Sequence, residues 1–376
     1  MELPARPPVN PRVTAALAGW SVALSAVMVW RGGRSWHYFT QGQQALADLD
    51  DRSVGGLHVY AGLPFLQIGP VAFLATGLTA PAGPHGGLVL AQAFGVLAGL
   101  VILLVVRDLA RIVRDLARIA GPELTELDLD RRLLLAGLFF LPVWVFLAVG
   151  QTHLDDVLAL LFGVLALRAA VADRALATGV LVGLAVDSKP WALPFLALVL
   201  LLSTRSMTAV AIAVGVVAVA WLPFFLADPG TVHALRYAIP NTPMSALRVL
   251  GVDSPTTPPW CRSVQAVLGV GLAVQAVRRG RWPLTLLVVI AARVVLDPGT
   301  NRYYAAGVVL GAAIWDVVGS PAALPWWTGA ACLCLFTSRS LPLPPCTYGT
   351  ATLAFFAAVC MLLLTGRPTV PVAAGP

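Results

Sequence analysis

Apolar residues run through this chain in long blocks separated by short polar turns. The blocks predict helices near 13–30, 86–106, 133–149, 154–170, 176–187, 190–203, 207–226, 263–277, 282–296, 303–318, 322–337 and 348–365, with a shorter one near 65–80. Several fall below the roughly 20 residues of a perpendicular membrane crossing, so some are broken or buried in protein. The expected fold is all-α: one integral membrane domain over 1–376, a polytopic helical bundle of about 11–13 transmembrane helices.

The arginines orient this bundle. Arg107, Arg111, Arg114, Arg118, Arg131 and Arg132 crowd the segment 107–132, the strongest cytoplasmic marker in the chain. Counting onward, Arg168 and Arg174, then Arg205, then Arg278, Arg279 and Arg281 fall on the same side. Residues 151–156, 187–189, 227–260 and 297–302 are thereby sent to the opposite, extracytoplasmic face. The 31–64 loop joins them if the amino terminus is cytoplasmic, but two full spans between 62 and 107 would break the alternation. Residues 65–79, with Gln67, Gly69 and Pro70, are therefore expected to form a partial or re-entrant segment buried in protein. Within 107–119 the run Arg-Asp-Leu-Ala-Arg-Ile occurs twice, seven residues apart. It predicts an amphipathic cytoplasmic helix lying at the membrane interface, with partner binding as the alternative. The first span lacks a convincing cleavage site and is expected to be a retained helix rather than a signal peptide.

Composition agrees. Hydrophobic residues make up 58% of the chain and charged residues 11%, against about a quarter charged in ordinary soluble domains. No separate soluble domain fits, the lipid bilayer is the medium, and no nucleic acid is expected as a partner. The formal charge of +7 is mostly a topology signal. Cys261, Cys332, Cys334, Cys346 and Cys360 show no metal-ligand spacing and read as core residues, with a Cys261–Cys346 bridge as an option in an oxidising compartment.

Candidate chemistry gathers in the turns sent to one face. The chain has a single lysine, Lys189, beside Asp187 and followed by Pro190 and Trp191. An ionisable pair at membrane depth must face a partner, a cavity or a charged substrate rather than lipid; the plain alternative is that Lys189 ends a helix and snorkels to the headgroups. At 150–156, Gln151, His153, Asp155 and Asp156 open a helix. Carboxylates favour a helix N-terminus, so capping stands beside a chemical role for these two acids. At 297–304, Asn301, Arg302, Tyr303 and Tyr304 open another. Arginine clamps phosphate bidentately and lysine meets it as a compact charge, which makes Lys189, Arg302 and Arg236 phosphate anchors in waiting. A salt bridge with Asp297 or a headgroup contact is the alternative for Arg302.

The 31–64 loop mixes Trp36, His37, His58 and Tyr60 with Asp48, Asp50 and Asp51. Asp48-Leu49-Asp50 superficially matches the metal-binding aspartate pair of soluble nucleotide-sugar transferases, a spacing any acidic loop produces; a solvated acidic turn is the alternative, and no metal is required. Asp-Pro-Gly-Thr occurs at both 228–231 and 297–300, with an Arg-Tyr pair soon after each, and Asp228 and Asp297 read as helix caps. The proline-rich 227–260 loop is stiff, either a lid or a connector.

Gly150-Gln151 opening a helix, then Arg168, Gly179, Gly183-Leu184-Ala185 and Lys189-Pro190, resembles the GT-C superfamily of membrane glycosyltransferases, and most of all the bacterial polyprenol-phosphate-mannose-dependent α-mannosyltransferases. The long early loop and the helix count extend the likeness over most of the chain. The sequence departs from it where superfamily members usually carry an acid near the first helix and a proline pair before the second. Here Ser35, Trp36 and His37 stand early, and Tyr60 and Pro64 precede Gln67-Ile68-Gly69-Pro70.

The resemblance implies a hexosyltransferase of the cell envelope that moves a sugar, with mannose expected, from a polyprenyl-phosphate donor to a glycan or glycolipid acceptor. It works with inversion and without a cofactor, at the extracytoplasmic face of the cell membrane. One of Asp48, Asp50 or Asp51, with Asp155 or Asp156 in reserve, takes the acceptor proton as general base. Lys189, Arg302 and Arg236 hold the donor phosphate. Gln151, His153, Asp187, Trp191, Trp36, His37, His58, Tyr60, Asn301 and Tyr303 contact substrate. The rival reading is a multi-pass transporter or lipid flippase with an intramembrane site at Asp155, Asp187 and Lys189. A non-catalytic scaffold is the third, and the clustered polar residues speak against it.

Overall fold

The computed structural model describes residues 10–117 and 125–366. It is 79% helical, without strands among the described residues; a lone bridge joins Pro240 and Thr256. Among the described residues, five helical runs are long and apolar enough to cross a membrane: Pro11–Arg31, Pro70–Asp115, Glu126–Gln151, Ser206–Ala227 and Pro345–Thr365. Ala175–Ser188, Pro190–Leu201 and Trp282–Val295 are shorter and apolar.

Local chemistry marks the helix starts. Thr125 and Asp128 form a reciprocal capping box at the head of Glu126–Val145, each side chain accepting the other's amide at 3.2 Å. Asn10 accepts the Arg12 amide at 3.0 Å, and Pro11 takes the first turn of Pro11–Met28, where a missing N–H is harmless.

At one end of the bundle the arginines tie helix to helix. Arg107, only 2% exposed, donates to Asp130 at 2.8 Å, and Arg111 and Arg114 close on Glu126. Arg168 meets Asp108 at 2.7 Å, Asp173 accepts the Ser203 amide at 2.9 Å, and Arg132 reaches the Ser320 carbonyl at 2.8 Å. Arg279 and Arg281 donate to the last carbonyls of Pro345–Thr365, groups that a helix end leaves without internal partners.

These bonds correct one expectation. Gly83–Ala117 is a single helix of 35 residues, and its arginines turn toward Glu126 and Asp130 of the following helix instead of lying on a membrane surface. Charges at i, i+4 and i+7 line one helical face, and here that face has a protein partner. The end of the second Arg-Asp repeat, Arg118-Ile119, lies outside the described residues.

The opposite end is built from the long turns. Gly69 donates to the Ser188 carbonyl at 3.1 Å, and the Thr242 amide to the Pro298 carbonyl at 3.1 Å. Arg262 bonds both Gln67 and the Tyr237 carbonyl. The turns expected to share one face therefore meet.

The segment 65–79 becomes a helix of 10 residues, Pro70–Thr79. It is about 15 Å long and leads through the short turn Ala80–Ala82 into Gly83–Ala117. The 31–64 stretch is more ordered than a loop, because Trp36–Ala47 forms a helix that buries Trp36 and Phe39. Gly42 makes its docking possible: a Cβ there would lie 2.2 Å from the Phe73 ring.

Candidate functional site

The helix Glu126–Val145 ends in an irregularity that shapes the site. Phe146–Gln151 continues it as a π-helical turn, and Thr152 follows in the left-handed region at φ 52°. Widening the turn frees the carbonyls of Val149, Gly150 and Gln151, which accept the amides of Gly33, Arg34 and Ser35 at 3.0, 3.4 and 2.9 Å. Gly32 allows this approach, since a Cβ there would lie 2.6 Å from the Val149 carbonyl. Gln151 and His153 are thereby set on a cavity wall, while Asp155 and Asp156 enter the first turn of Leu154–Val171, both buried.

On the facing side, Ala175–Ser188 stops at Lys189, whose backbone is extended at φ −153°. The residue before a proline is pushed off helical geometry, and Pro190 is next. The turn carries the Lys189 ammonium onto Asp155 Oδ2, while Asp155 Oδ1 lies 3.1 Å from His153 Nδ1. Asp156 Oδ1 accepts Trp191 Nε1 at 3.0 Å and Arg293 at 3.4 Å. Arg293 is sandwiched between the rings of Trp191 and Tyr304, 4.5 and 4.6 Å from their centroids, with its Nε 3.9 Å from Asp297. Two adjacent buried carboxylates thus face a partly buried lysine and a buried arginine, the pairing that makes such charges tolerable away from water.

These groups border a cavity of about 1010 Å³. Lys189, Arg262 and Arg293 bring positive charge to its wall, and Gln67, Gln151, Gln265 and Asn301 add amides. His153 stacks on Tyr303 with ring centroids 4.0 Å apart. Leu193, Pro194, Trp221 and Ala266 make an apolar stretch of the same wall. The 227–260 turn contributes Ala234, Leu235, Tyr237, Ile239 and Pro240, so it walls the cavity and is more than a connector. Asp297 also lines the cavity, and burial pushes its carboxyl above the ordinary value against the pull of Arg293 and the Gly299 amide.

Of the residues singled out by sequence, Gln151, His153, Lys189, Trp191, Tyr60, Asn301 and Tyr303 line the cavity, and Asp155 and Asp156 stand directly behind it. Tyr60 is buried, its hydroxyl donating to the Ile68 carbonyl at 2.8 Å. The acids of the early loop do not reach the cavity. Asp48 accepts the amides of Asp50 and Asp51 at 3.2 and 3.3 Å, and Asp51 accepts Ser53, whose hydroxyl and amide hold the Asp51 carboxyl below its usual range. They form a self-bonded acidic turn.

Arg302 is directed elsewhere too: its Nε donates to the Phe336 carbonyl at 3.1 Å, and its guanidinium lies over Phe336 and Phe146. Arg236 and His37 are exposed. Trp36 is packed on Phe39, and His58 bonds Asp228 at 3.2 Å. Asp187 is buried with neither oxygen hydrogen-bonded, off the cavity lining. Cys261 and Cys346 are both free, and the Cys261 thiol points to the Leu296 carbonyl at 2.7 Å. Asp228 caps the short helix Pro229–Thr231 as expected, accepting the Gly230 amide at 2.8 Å; Asp297 accepts the Gly299 amide at 2.9 Å but caps no helix, since the next one, Arg302–Tyr304, starts after Asn301.

Sequence reasoning passed over Arg262 and Arg293. The signal for Arg293 was present as a lone charge inside the apolar block 282–296. His153, Asp155 and Asp156 hold metal-ligating atoms within 4.8 Å of one another. Asp155 already carries Lys189 and Asp156 already carries Arg293 and Trp191, so the donor set fits an ion-pair cluster better than a divalent cation. No protein-family model matches the chain, and no curated protein matches it.

Proposed function

We propose that the chain is a GT-C-like membrane glycosyltransferase that moves a sugar, mannose by the resemblance, from a polyprenyl phosphate to an extracytoplasmic glycan or glycolipid acceptor. The observation that carries this reading is one cavity wall on which Lys189 and Arg293 adjoin His153 and an apolar stretch. A lipid-linked phosphate needs those cations and that apolar surface together. The acceptor oxygen attacks the anomeric carbon as the bond from that carbon to the phosphate oxygen breaks, and the electron pair leaves with the phosphate. Lys189, Arg293 and Arg262 stabilise the charge growing there.

The hydroxyl proton passes to His153 Nε2. Asp155, at 3.1 Å from Nδ1, holds the ring in the tautomer that leaves Nε2 free to accept. This assignment replaces Asp48, Asp50 and Asp51, which stand apart from the cavity. Incubating the purified protein with a polyprenyl-phosphate hexose and a lipid acceptor tests it: release of polyprenyl phosphate with a glycosylated product is expected. Intact donor after incubation with a panel of hexoses and acceptors would sink it.

One observation favours transport as a second reading. Asp187 is a buried acid without a hydrogen-bond partner, two residues before Lys189. Flux of a lipid-linked sugar across sealed vesicles with its glycosidic bond intact would support this alternative.

A further inference from the structure

Arg302 and Arg339 lie together at the loop end of the bundle, off the cavity wall. Arg302 donates from Nε to the Phe336 carbonyl, three residues before Arg339, with its guanidinium 4.0 Å from the Phe336 ring centroid. Arg339 donates in return to the carbonyl of Thr300, two residues before Arg302, and lies 5.7 Å from the Tyr348 ring centroid. Each arginine grips the backbone that carries the other. No carboxylate among the described residues pairs with either one. Burial lowers the pKa of Arg339, and the charge on Arg302 lowers it further. Two like charges held at one junction repel, and an anion bound there relieves that repulsion.

The surroundings narrow the choice of anion. Near Arg339 in the chain, Leu341 and Leu343 are 52% and 38% exposed, and Leu333, three residues before Phe336, is 57% exposed. Guanidinium forks match phosphate oxygens bidentately, and exposed leucines beside them suit acyl chains. We propose that Arg302 and Arg339 form a binding site for the phosphate of an anionic phospholipid headgroup, separate from the cavity. Thr300, which Arg339 grips, lines the cavity. A lipid bound here would brace the 297–301 turn from outside.

The full-length protein in phosphatidylcholine nanodiscs, with and without phosphatidylglycerol and without any sugar donor, tests this. Retained lipid is counted by native mass spectrometry, and the unfolding midpoint is read alongside. Phosphatidylglycerol is expected to be retained and to raise the midpoint. Arg339→Gln should weaken retention about tenfold, the size of one charge-assisted hydrogen bond. Arg302→Lys, which keeps the charge but loses the fork, should weaken it less and decides the matter if Arg339→Gln does not fold. Arg236→Gln, at an exposed arginine of the same end, should leave retention unchanged. Equal retention in Arg339→Gln, Arg302→Lys and the unaltered protein overturns the proposal. So does an equal loss in Arg236→Gln, which would make the attraction diffuse, or stabilisation by inorganic phosphate and not by the lipid, which would make this a soluble-anion site.

Discussion

His153 Nδ1 lies 3.1 Å from Asp155 Oδ1, and the other oxygen of Asp155 holds Lys189. One carboxylate therefore serves two groups on the cavity wall, orienting an imidazole and fixing an ammonium. If His153 is the base, His153→Ala removes the proton acceptor while the phosphate contacts remain. Turnover should fall by about 10²–10⁴-fold, with the donor concentration for half-maximal rate little changed. Steady-state kinetics on donor and acceptor separates the two; a rise in donor requirement without loss of turnover would take His153 out of proton transfer.

Lys189→Met leaves Asp155 buried without its cation. That should destabilise the fold by about 3–5 kcal/mol, and the donor concentration for half-maximal rate should rise by about ten- to a hundredfold. The double variant Lys189→Met with Asp155→Asn removes both charges and should recover most of the stability but none of the donor affinity. Unfolding in detergent and donor titration on both variants distinguish a phosphate contact from a purely structural pair. Full recovery of donor affinity in the double variant would assign Lys189 to structure alone.

Arg293→Met makes the corresponding change at Asp156, and here the aromatic sandwich adds to the cost. Trp191 and Tyr304 each lose a cation over the ring face, worth about 0.5–2 kcal/mol per ring, in addition to the unpaired carboxylate. Arg293→Lys keeps the charge but not the planar group between two rings, so it should recover only part of the loss. Equal stability of the lysine variant and the unaltered protein would show that the stacking contributes nothing.

Much of this site was legible because charge is rare in the chain. A single lysine near Asp187 pointed to a turn that borders the cavity, and Asp-Pro-Gly marked the cap at Asp228. Direction was not legible. Arg293 and Arg302 flank the same turn, and only packing decides that Arg293 faces Asp156 while Arg302 lies against Phe336. The acids of the early loop matched an expectation about which loop carries the base, but sequence distance says nothing of whether a carboxylate faces a cavity or its own backbone. The helix Trp36–Ala47 was hidden for a related reason: its polar residues read as loop, and its order comes from Phe73 fitting against Gly42.

Replacing Asp48, Asp50 and Asp51 together by asparagine should leave turnover within about twofold. Surface substitutions away from caps and cores usually shift stability by no more than about 0.5 kcal/mol each, and asparagine can still accept the turn amides. A collapse of turnover in a variant that folds normally would return the base to this loop and remove His153 from the role.

Gly69 is the residue on which the junction of two segments turns. A Cβ at this position would lie 1.8 Å from the Asp187 carbonyl oxygen and 2.7 Å from that of Ser188, and both contacts are with backbone that cannot swing aside. Gly69→Ala must therefore move the start of Pro70–Thr79 away from the end of Ala175–Ser188 and break the Gly69–Ser188 hydrogen bond. Overpacking of this kind costs about 1–3 kcal/mol. Because Lys189 is next in the chain, the displacement should also raise the donor requirement, whereas Gly77→Ala, where the nearest atom to a Cβ is 3.8 Å away, should leave it unchanged. Donor titrations on the two alanine variants, read beside their unfolding midpoints, check both halves; equal behaviour would mean that the Gly69 contact does not govern the position of Lys189.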